Sequence, residues 1–481
     1  MMDGGIPDNY AYFMLRLSEA ASRFQAIRKD ACIRIITHLD ADGITACAIL
    51  VKLLTDMQRP YSVSIVKQLT RETVADLATE PYQHYLFADL GSYALSWIED
   101  EMAGKEAIVI LDHHEPERLS TNAPNIIFVN PYSHGVNGDK EIAGAGVAYL
   151  FAKEFDARYA SLAHLAIVGA IGECQERNGF FGLNERILND AIAAGTLEVH
   201  IGLRCFGFHS KPLHRLLEQS RDPYIPGVTG SEEGALAFLE ALGIAARRSE
   251  QGAWRTLADL SLVDVKRLIE GIVARRKDEQ APEDVLGCTY LLPNEPAGSP
   301  LRDAREFSTL LNACGRLGKA MLGVGVCLGD KRQTLDAIES QAAYRKELEA
   351  ALAWLRVHRH SRHVIEEDGF LIIDAEDTIR PTIIGTFVSM LARGNRFPRG
   401  TLILGMAREY DSTTKVSLRI AGSDGSGHPD ARAVLREIMR PVAGEHGGHR
   451  EAAGGIFPTV KEESFLEAAK DVLRQQVAHI V

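Results

Sequence analysis

Between residue 31 and about residue 180, short apolar runs alternate with helical stretches. This alternation constrains the fold more than any other feature of the chain. "ACIRIIT", "YSVSIVK", "HYLFAD", "AIVILD" and "NIIFVN" are strand-length runs rich in Ile, Val, Tyr and Phe. "GITACAILVKLL", "AGAGVAYLFAKEF" and "LAHLAIVGAIGEC" read as helices. Strands that are apolar on both faces need cover on both faces, and strands that alternate with helices pair in parallel. The expected fold class is therefore α/β, with a parallel sheet flanked by helices. Ligand sites in such sheets lie beyond the carboxyl ends of the strands.

The pattern changes downstream. From about 185 to 285, aliphatic residues stand at helical spacing among many Arg and Glu, and "SRDPYIPGVTGSEEG" interrupts them. This predicts a mostly helical middle region, with "DEQAPEDVLG" as an exposed joint. Beyond it "VLGCTYLL" reads as a strand and "DAREFSTLLNACGRLG" as a helix. A long amphipathic helix follows, then the strands "GFLIIDAE", "TLILGMA" and "KVSLRIA". A second, smaller α/β domain is expected there. The expected division is 1–200, 201–285 (a helical linker or insertion) and 286–481.

Composition narrows the class. At 46% hydrophobic and 25% charged, the 481-residue chain has the make-up of a soluble globular protein. No apolar run approaches the roughly 20 residues of a membrane span, so no membrane partner is expected. The start of the chain lacks a basic segment followed by an apolar core, which predicts no secretory signal. Seven dispersed cysteines without a CxxC pair point to reduced thiols and a cytoplasmic setting. A net charge of -12 argues against broad, nonspecific coating of nucleic acid. It leaves room for a nuclease, because acidic clusters that hold divalent ions add to the negative count.

The chemistry gathers where strands end. His38, Asp40 and Asp42 arrive on alternate positions behind an apolar run, and Gly43 lets the chain turn. Alone, the stretch also suits Asp42 as a cap on the next helix. Asp89 in "LFADLGSY" and Asp112, His113 and His114 in "IVILDHHEPE" repeat the setting at two more strand ends. Glu173 closes the small-residue helix "AIVGAIGECQE" after Gly169 and Gly172, as a further carboxylate or as a surface residue. Together these residues can hold two divalent ions roughly 3.5 to 4 Å apart around one bridging carboxylate. A carboxylate and imidazole set without cysteine suits Mn2+ or Mg2+ better than a thiolate zinc site. Two such ions activate water and stabilise charge on a phosphoryl group, so the reaction class is phosphoester hydrolysis.

In this order "THLDADG", "FADLG", "LDHHEPE" and "AIVGAIGECQE" resemble the four motifs of the DHH phosphoesterase superfamily. "NPYSHGVNGDKEIAGAGVAYLFAKE" resembles it as well. "KVSLRIAG" with "AGEHGGHREAAGG" looks like the DHH-associated C-terminal domain. In length and in "REFSTLLNACGR" the chain is most similar to archaeal RecJ-like nucleases. The resemblance implies that His38, Asp40 and Asp42 share two ions, Mn2+ foremost and Mg2+ second. It implies that Asp89 bridges them, that His113 is a ligand and that Glu173 stands at the fourth-motif position. Asp112 would orient the cluster, and His114 would lie near the scissile phosphate. Arg419, Gly447, Gly448 and His449 would grip the substrate, with Asn312 and Arg316 as further contacts.

The activity implied is a metal-dependent exonuclease on single-stranded DNA or RNA, in replication or repair. The family's fourth motif usually carries Asp, so Glu173 is a departure that puts activity in doubt. Two alternatives follow. One is a silent or weakly active replisome component bound to a GINS-like complex; the other is a phosphodiesterase for short oligonucleotides.

Overall fold

The computed structural model describes residues 8–176, 179–204, 207, 211–220, 223–249, 252–279, 282–393, 397–422 and 429–478, the side chains of Asp8, His449 and Ala478 excepted. The chain divides into two compact units, Met1–Gln341 and Ala342–Val481.

The first unit begins with helix α1 (Asp8–Gln25) and then builds strands β1 (Ile33–His38), β2 (Tyr61–Val66), β3 (His84–Ala88), β4 (Ala107–Leu111) and β5 (Ile126–Val129). They pair in parallel in the order β2-β1-β3-β4-β5. Helices α2 (Ala41–Asp56), α3 (Arg71–Thr79), α4 (Leu95–Glu101), α5 (Gly144–Lys153), α6 (Ala163–Gly172) and α7 (Leu183–Ala193) complete this part. Alternate side chains of each strand serve opposite faces. Ile33, Ile35, Leu86 and Ala88 join the core formed with α1, α2, α5 and α6. Ile36, Tyr85, Phe87, Ile108 and Ile110 join a separate core under α3 and α4. This double cover explains the continuous apolar runs. β2 and β3 leave β1 on opposite sides, so the strand order reverses beside β1, where open parallel sheets form their ligand crevice. The register sets Thr37 beside Ala88 and Ala88 beside Leu111, so the residues that follow these strands emerge side by side.

The middle region is mostly helical, as expected, with α8 (Leu213–Glu218), α9 (Glu232–Ala241) and α10 (Leu262–Arg275). Leu213, Leu217, Phe238, Leu239, Leu268 and Ile272 share a small core of its own. An antiparallel ribbon of β6 (Glu198–Leu203) and β7 (Leu286–Leu291) ties its two ends together. Helices α11 (Ala304–Arg316) and α12 (Ala320–Cys327) then return to α2 and α6. Phe307, Leu310, Leu311, Cys314 and Val324 thereby extend the core of the first unit. Helix α13 (Lys331–His358) carries the chain onward.

The second unit is a mixed sheet of β8 (Val364–Glu367), β9 (Phe370–Asp374), β10 (Leu402–Arg408), β11 (Thr413–Ile420), β12 (Glu445–His449) and β13 (Ala452–Pro458), in the order β12-β13-β11-β10-β9-β8. Helix α14 (Pro381–Arg393) packs on β10 and β11. Helices α15 (Ala431–Met439) and α16 (Glu462–Ala478) enclose a core with Leu404, Val416, Leu418 and Phe457. Among the described residues no helix is long and apolar enough to cross a membrane.

Candidate metal centre

The residues singled out at the three strand ends converge. At the end of β1, His38 Nδ1 lies 2.7 Å from Asp40 Oδ2 and 3.8 Å from Asp89 Oδ2. His113 Nε2 lies 3.4 Å from Asp89 Oδ1 and 3.6 Å from Asp42 Oδ2. His114 Nδ1 lies 3.9 Å from Asp89 Oδ1. Two groups result that could each hold an ion, His38–Asp40–Asp89 and Asp89–His113–His114, and Asp89 belongs to both. Asp89 follows β3 in the left-handed backbone region, φ 58, which costs a non-glycine residue about 1 kcal/mol or more.

The helix cap is Asp40, not Asp42: its carboxylate accepts from the Gly43 N–H at 3.1 Å. Asp42 is fully buried and lies beside His113 and the first turn of α5. Its two oxygens accept from the Gly144 and Ala145 N–H groups, at 2.6 and 2.9 Å. The first turn of α5 thus holds a carboxylate at the positive end of a helix. Asp112 is the organiser of its loop. It accepts from the Ser92 and His113 N–H groups at 2.8 Å each, from the His114 N–H at 3.2 Å, and faces His114 Nδ1 at 2.8 Å. His113 Nδ1 donates to the Gly138 carbonyl at 2.8 Å, which leaves Nε2 for the cluster.

The electrostatics are those of buried carboxylates crowded around two imidazoles. Burial, then the Asp42 and Asp40 carboxylates, push the Asp89 carboxyl well above the usual range. Burial and Asp40 push Glu173 up to about 7. Burial opposes a charged His113, yet Asp42, Glu173 and Asp112 outweigh it and raise the imidazole to about 8. Burial also works against Asp112, but His114 holds that carboxyl well below the ordinary range. Both Asp89 oxygens and His113 Nε2 are buried with no hydrogen-bond partner among the described residues. A buried carboxylate left unpaired costs several kcal/mol. These orphaned atoms, with the hard oxygen and imidazole donors around them, fit divalent cations.

Glu173 is the C-cap of α6 and shares the field of Asp40, Asp42, Asp89 and His113. Neither Glu173 nor Asp42 joins a ligand group among the described residues. Asn312 Oδ1 accepts from the Ala41 N–H at 3.0 Å, and the Arg316 charge helps to hold Asp40 low. Both act on the loop after β1 from the end of α11. In the second unit Arg419 donates to Ser389 Oγ at 2.9 Å and to the Leu418 and Ala453 carbonyls. It shares a register row with Ala452 and His449, whose side chain lies outside the described residues. Gly448 has φ 124, and a Cβ there would meet the Ala452 carbonyl at 2.4 Å; a Cβ on Gly447 would meet nothing.

Several participants were not foreseen. A Cβ on Gly138 would sit 1.8 Å from the His113 carbonyl oxygen, and one on Gly169 would sit 2.4 Å from Asp42 Oδ1. Gln175 Nε2 also donates to the Gly138 carbonyl, at 2.9 Å. Buried Asn130 donates to Ser92 Oγ and the His114 carbonyl, at 2.7 and 2.9 Å. Only the glycines left a trace in the sequence, as unusually small residues near polar motifs. A third group, His363–Asp374–Glu376, lies in the second unit beside Arg408 and Arg362, whose charges oppose a cation.

Comparison with known proteins finds three successive domains along the chain. The DHH family, N-terminal domain, matches residues 32–170, the DHH-CID domain 205–286 and the DHHA1 domain 368–475. The chain is 29% identical over 457 residues to an uncharacterized protein of Methanocaldococcus jannaschii, covering 92% of this chain and 94% of that one. RecJ in complex with Mn2+ from Thermus thermophilus superposes with a TM-score of 0.58 at 18% identity, over 96% of this chain and 55% of that one. The same RecJ has been solved with Mg2+. The chain thus spans about half the length of that RecJ. CDC45 from Entamoeba histolytica superposes with a TM-score of 0.62 at 11% identity, over 97% of this chain and 98% of that one. At these identities the structures share a fold with the chain.

Proposed function

The chain belongs to the DHH family, and from that premise we propose that it is a metal-dependent exonuclease that hydrolyses phosphodiester bonds of single-stranded DNA or RNA in replication or repair. The observation that carries the reading is Asp89. It is shared by two ligand groups, and both its oxygens are buried without a partner among the described residues. In this reading His38, Asp40, Asp42, Asp89, His113 and Glu173 would hold two ions, Mn2+ or Mg2+, and Asp89 would serve both ligand groups. Bound there, the ions supply a nucleophilic water and charge stabilisation for the phosphoryl oxygens. Asp112 fixes the loop and holds His114 Nδ1, and the imidazole is half-exposed. From there His114 gives a hydrogen bond or a proton to the phosphate that is being cut. Arg419, Gly447, Gly448 and His449 grip the strand. Asn312 and Arg316 act through Ala41 and Asp40.

A nuclease assay tests this with end-labelled single-stranded DNA and RNA in Mn2+, Mg2+ or EDTA, beside Asp89→Ala. Cleavage that needs the metal and is lost in the variant is expected. No cleavage by the folded protein under any metal refutes it. One observation favours a second reading, a weakly active protein that serves as a binding component of a replisome-type assembly: Glu173 joins neither ligand group. Under that reading Glu173→Asp raises a low activity, and under the first it does not.

A further inference from the structure

The Gly138 carbonyl that accepts from His113 Nδ1 has a second donor. His113 Nδ1 lies 2.8 Å from it and Gln175 Nε2 2.9 Å. A carbonyl oxygen has two lone pairs, so these two donors fill it. The direction of the Gln175 amide is set by its neighbours. Its nitrogen faces two groups that can only accept, the Gly138 carbonyl and, at 3.4 Å, the Ile142 carbonyl. Its oxygen accepts from Asn184 Nδ2 at 2.5 Å. Asn184 lies in the first turn of α7, and its N–H donates to the Glu141 carbonyl at 2.7 Å. His113, Gln175 and Asn184 are all buried. The turn that delivers Gln175 is itself constrained. Cys174, just past the C-cap of α6, has φ 58, at a position where helices commonly end on glycine. A buried chain of bonds therefore runs from α7 through Gln175 and Gly138 to the imidazole of His113.

We propose that Gln175 is a positioning residue that sets the affinity of one ion and not of the other, by holding the Gly138 carbonyl where it fixes the His113 ring. The inference rests on the two-ion reading of the centre. His113 belongs to the group Asp89–His113–His114 and not to His38–Asp40–Asp89. The imidazole of the second group, His38, faces Asp40 instead. Groups that orient a metal-bound histidine in this way change metal affinity about 10- to 100-fold when they are removed.

The test is a cycle on the full chain, read by calorimetric titration with Mn2+. The wild type should show two binding steps. Gln175→Met, similar in length but without a donor, should weaken one step about 10- to 100-fold and leave the other within about 2-fold. In a His113→Ala background the same substitution should change Mn2+ affinity by less than about 2-fold, because the ring it acts through is gone. A residue that only held the fold together would weaken both steps, or would cost as much in either background, and either result overturns the proposal. So do two wild-type affinities in Gln175→Met. Asn184→Ala keeps Gln175 and removes its brace, and it should show a smaller loss at the same step. It takes over the test if Gln175→Met proves unfolded by urea titration in EDTA. A wild type that binds no Mn2+ sinks the metal reading and the proposal with it, an outcome distinct from a wild type with two ions matched by Gln175→Met.

Discussion

Replacing Gly144 with Ala sets helix propensity against the geometry of the candidate metal centre. Gly144 opens α5 and donates to Asp42 Oδ2 at 2.6 Å. An added Cβ would lie 2.6 Å from Asp89 Oδ1 and 2.7 Å from Asp89 Cβ. Ordinary contact begins near 3.4 Å, so about 0.8 Å must be found by Asp89 or by the helix start. Ligand distances tolerate only about 0.2 Å. Ala favours a helix over Gly by up to about 1 kcal/mol, while overpacking costs about 1–3 kcal/mol. The net loss of stability is then about 0–3 kcal/mol, and most of the chain stays folded. Metal affinity is the sensitive quantity, because displaced supporting groups weaken it about 10- to 100-fold. That corresponds to about 1.4–2.7 kcal/mol. Calorimetric titration with Mn2+ measures it, with urea unfolding in EDTA as the control for folding. An affinity within twofold of the wild type would refute the reasoning, because it would mean that Asp89 need not occupy the observed position.

Three further outcomes are expected. In EDTA, Asp89→Asn should melt at a higher temperature than the wild type, because a neutral amide relieves the repulsion from Asp42 and Asp40. Mn2+ at about 100 times its Kd should add about 2.7 kcal/mol to the wild type and little to the variant. Scanning calorimetry with and without metal checks this, and a variant no more stable than the wild type in EDTA counts against it. Asn312→Ala should cost about 1–3 kcal/mol by leaving the Ala41 N–H unpaired, with strand affinity unchanged by anisotropy; a large loss of affinity at unchanged stability would show direct contact instead. Burial pushes the Cys47 thiol up to about 12 from an ordinary value of 9.0. The folded chain therefore holds this proton where the unfolded chain has lost it. The contribution is complete below pH 9 and fades as pH rises toward 12. Urea unfolding at neutral and at alkaline pH should show Cys47→Ala losing less stability than the wild type, and equal losses would contradict the argument.

Much of the first unit could be read from the sequence, because strands covered on both faces leave unbroken apolar runs and the candidate ligands sit at their ends. The partner of α11 could not. Phe307, Leu310 and Leu311 announce a face that needs cover, but nothing local says that α2 and α6, far upstream, supply it. The same holds for β7, whose apolar pattern is that of any strand and whose partner β6 lies across the middle region. At the centre, the chemical types of His38, Asp40, Asp89 and His113 were visible. The amides of Gly144 and Ala145 were not, since backbone donors carry no side-chain signature. Asp40 and Asp42 each had the composition of a cap, and only the backbone decides that Asp40 takes that role.

A ribosome makes Ala41 long before Asn312. The 271 additions that lead from one to the other take about 14 to 54 s at ~5–20 residues per second. Throughout that interval the emerging chain has the strands and the loop that carries His38, Asp40 and Asp42, but not the helix that pins the loop from behind. The apolar sides of α2 and α6 that Phe307, Leu310 and Leu311 will cover stay open to solvent or to a chaperone. The middle region, with a core of its own, is made inside that delay. Its length therefore sets how long the nascent centre must wait.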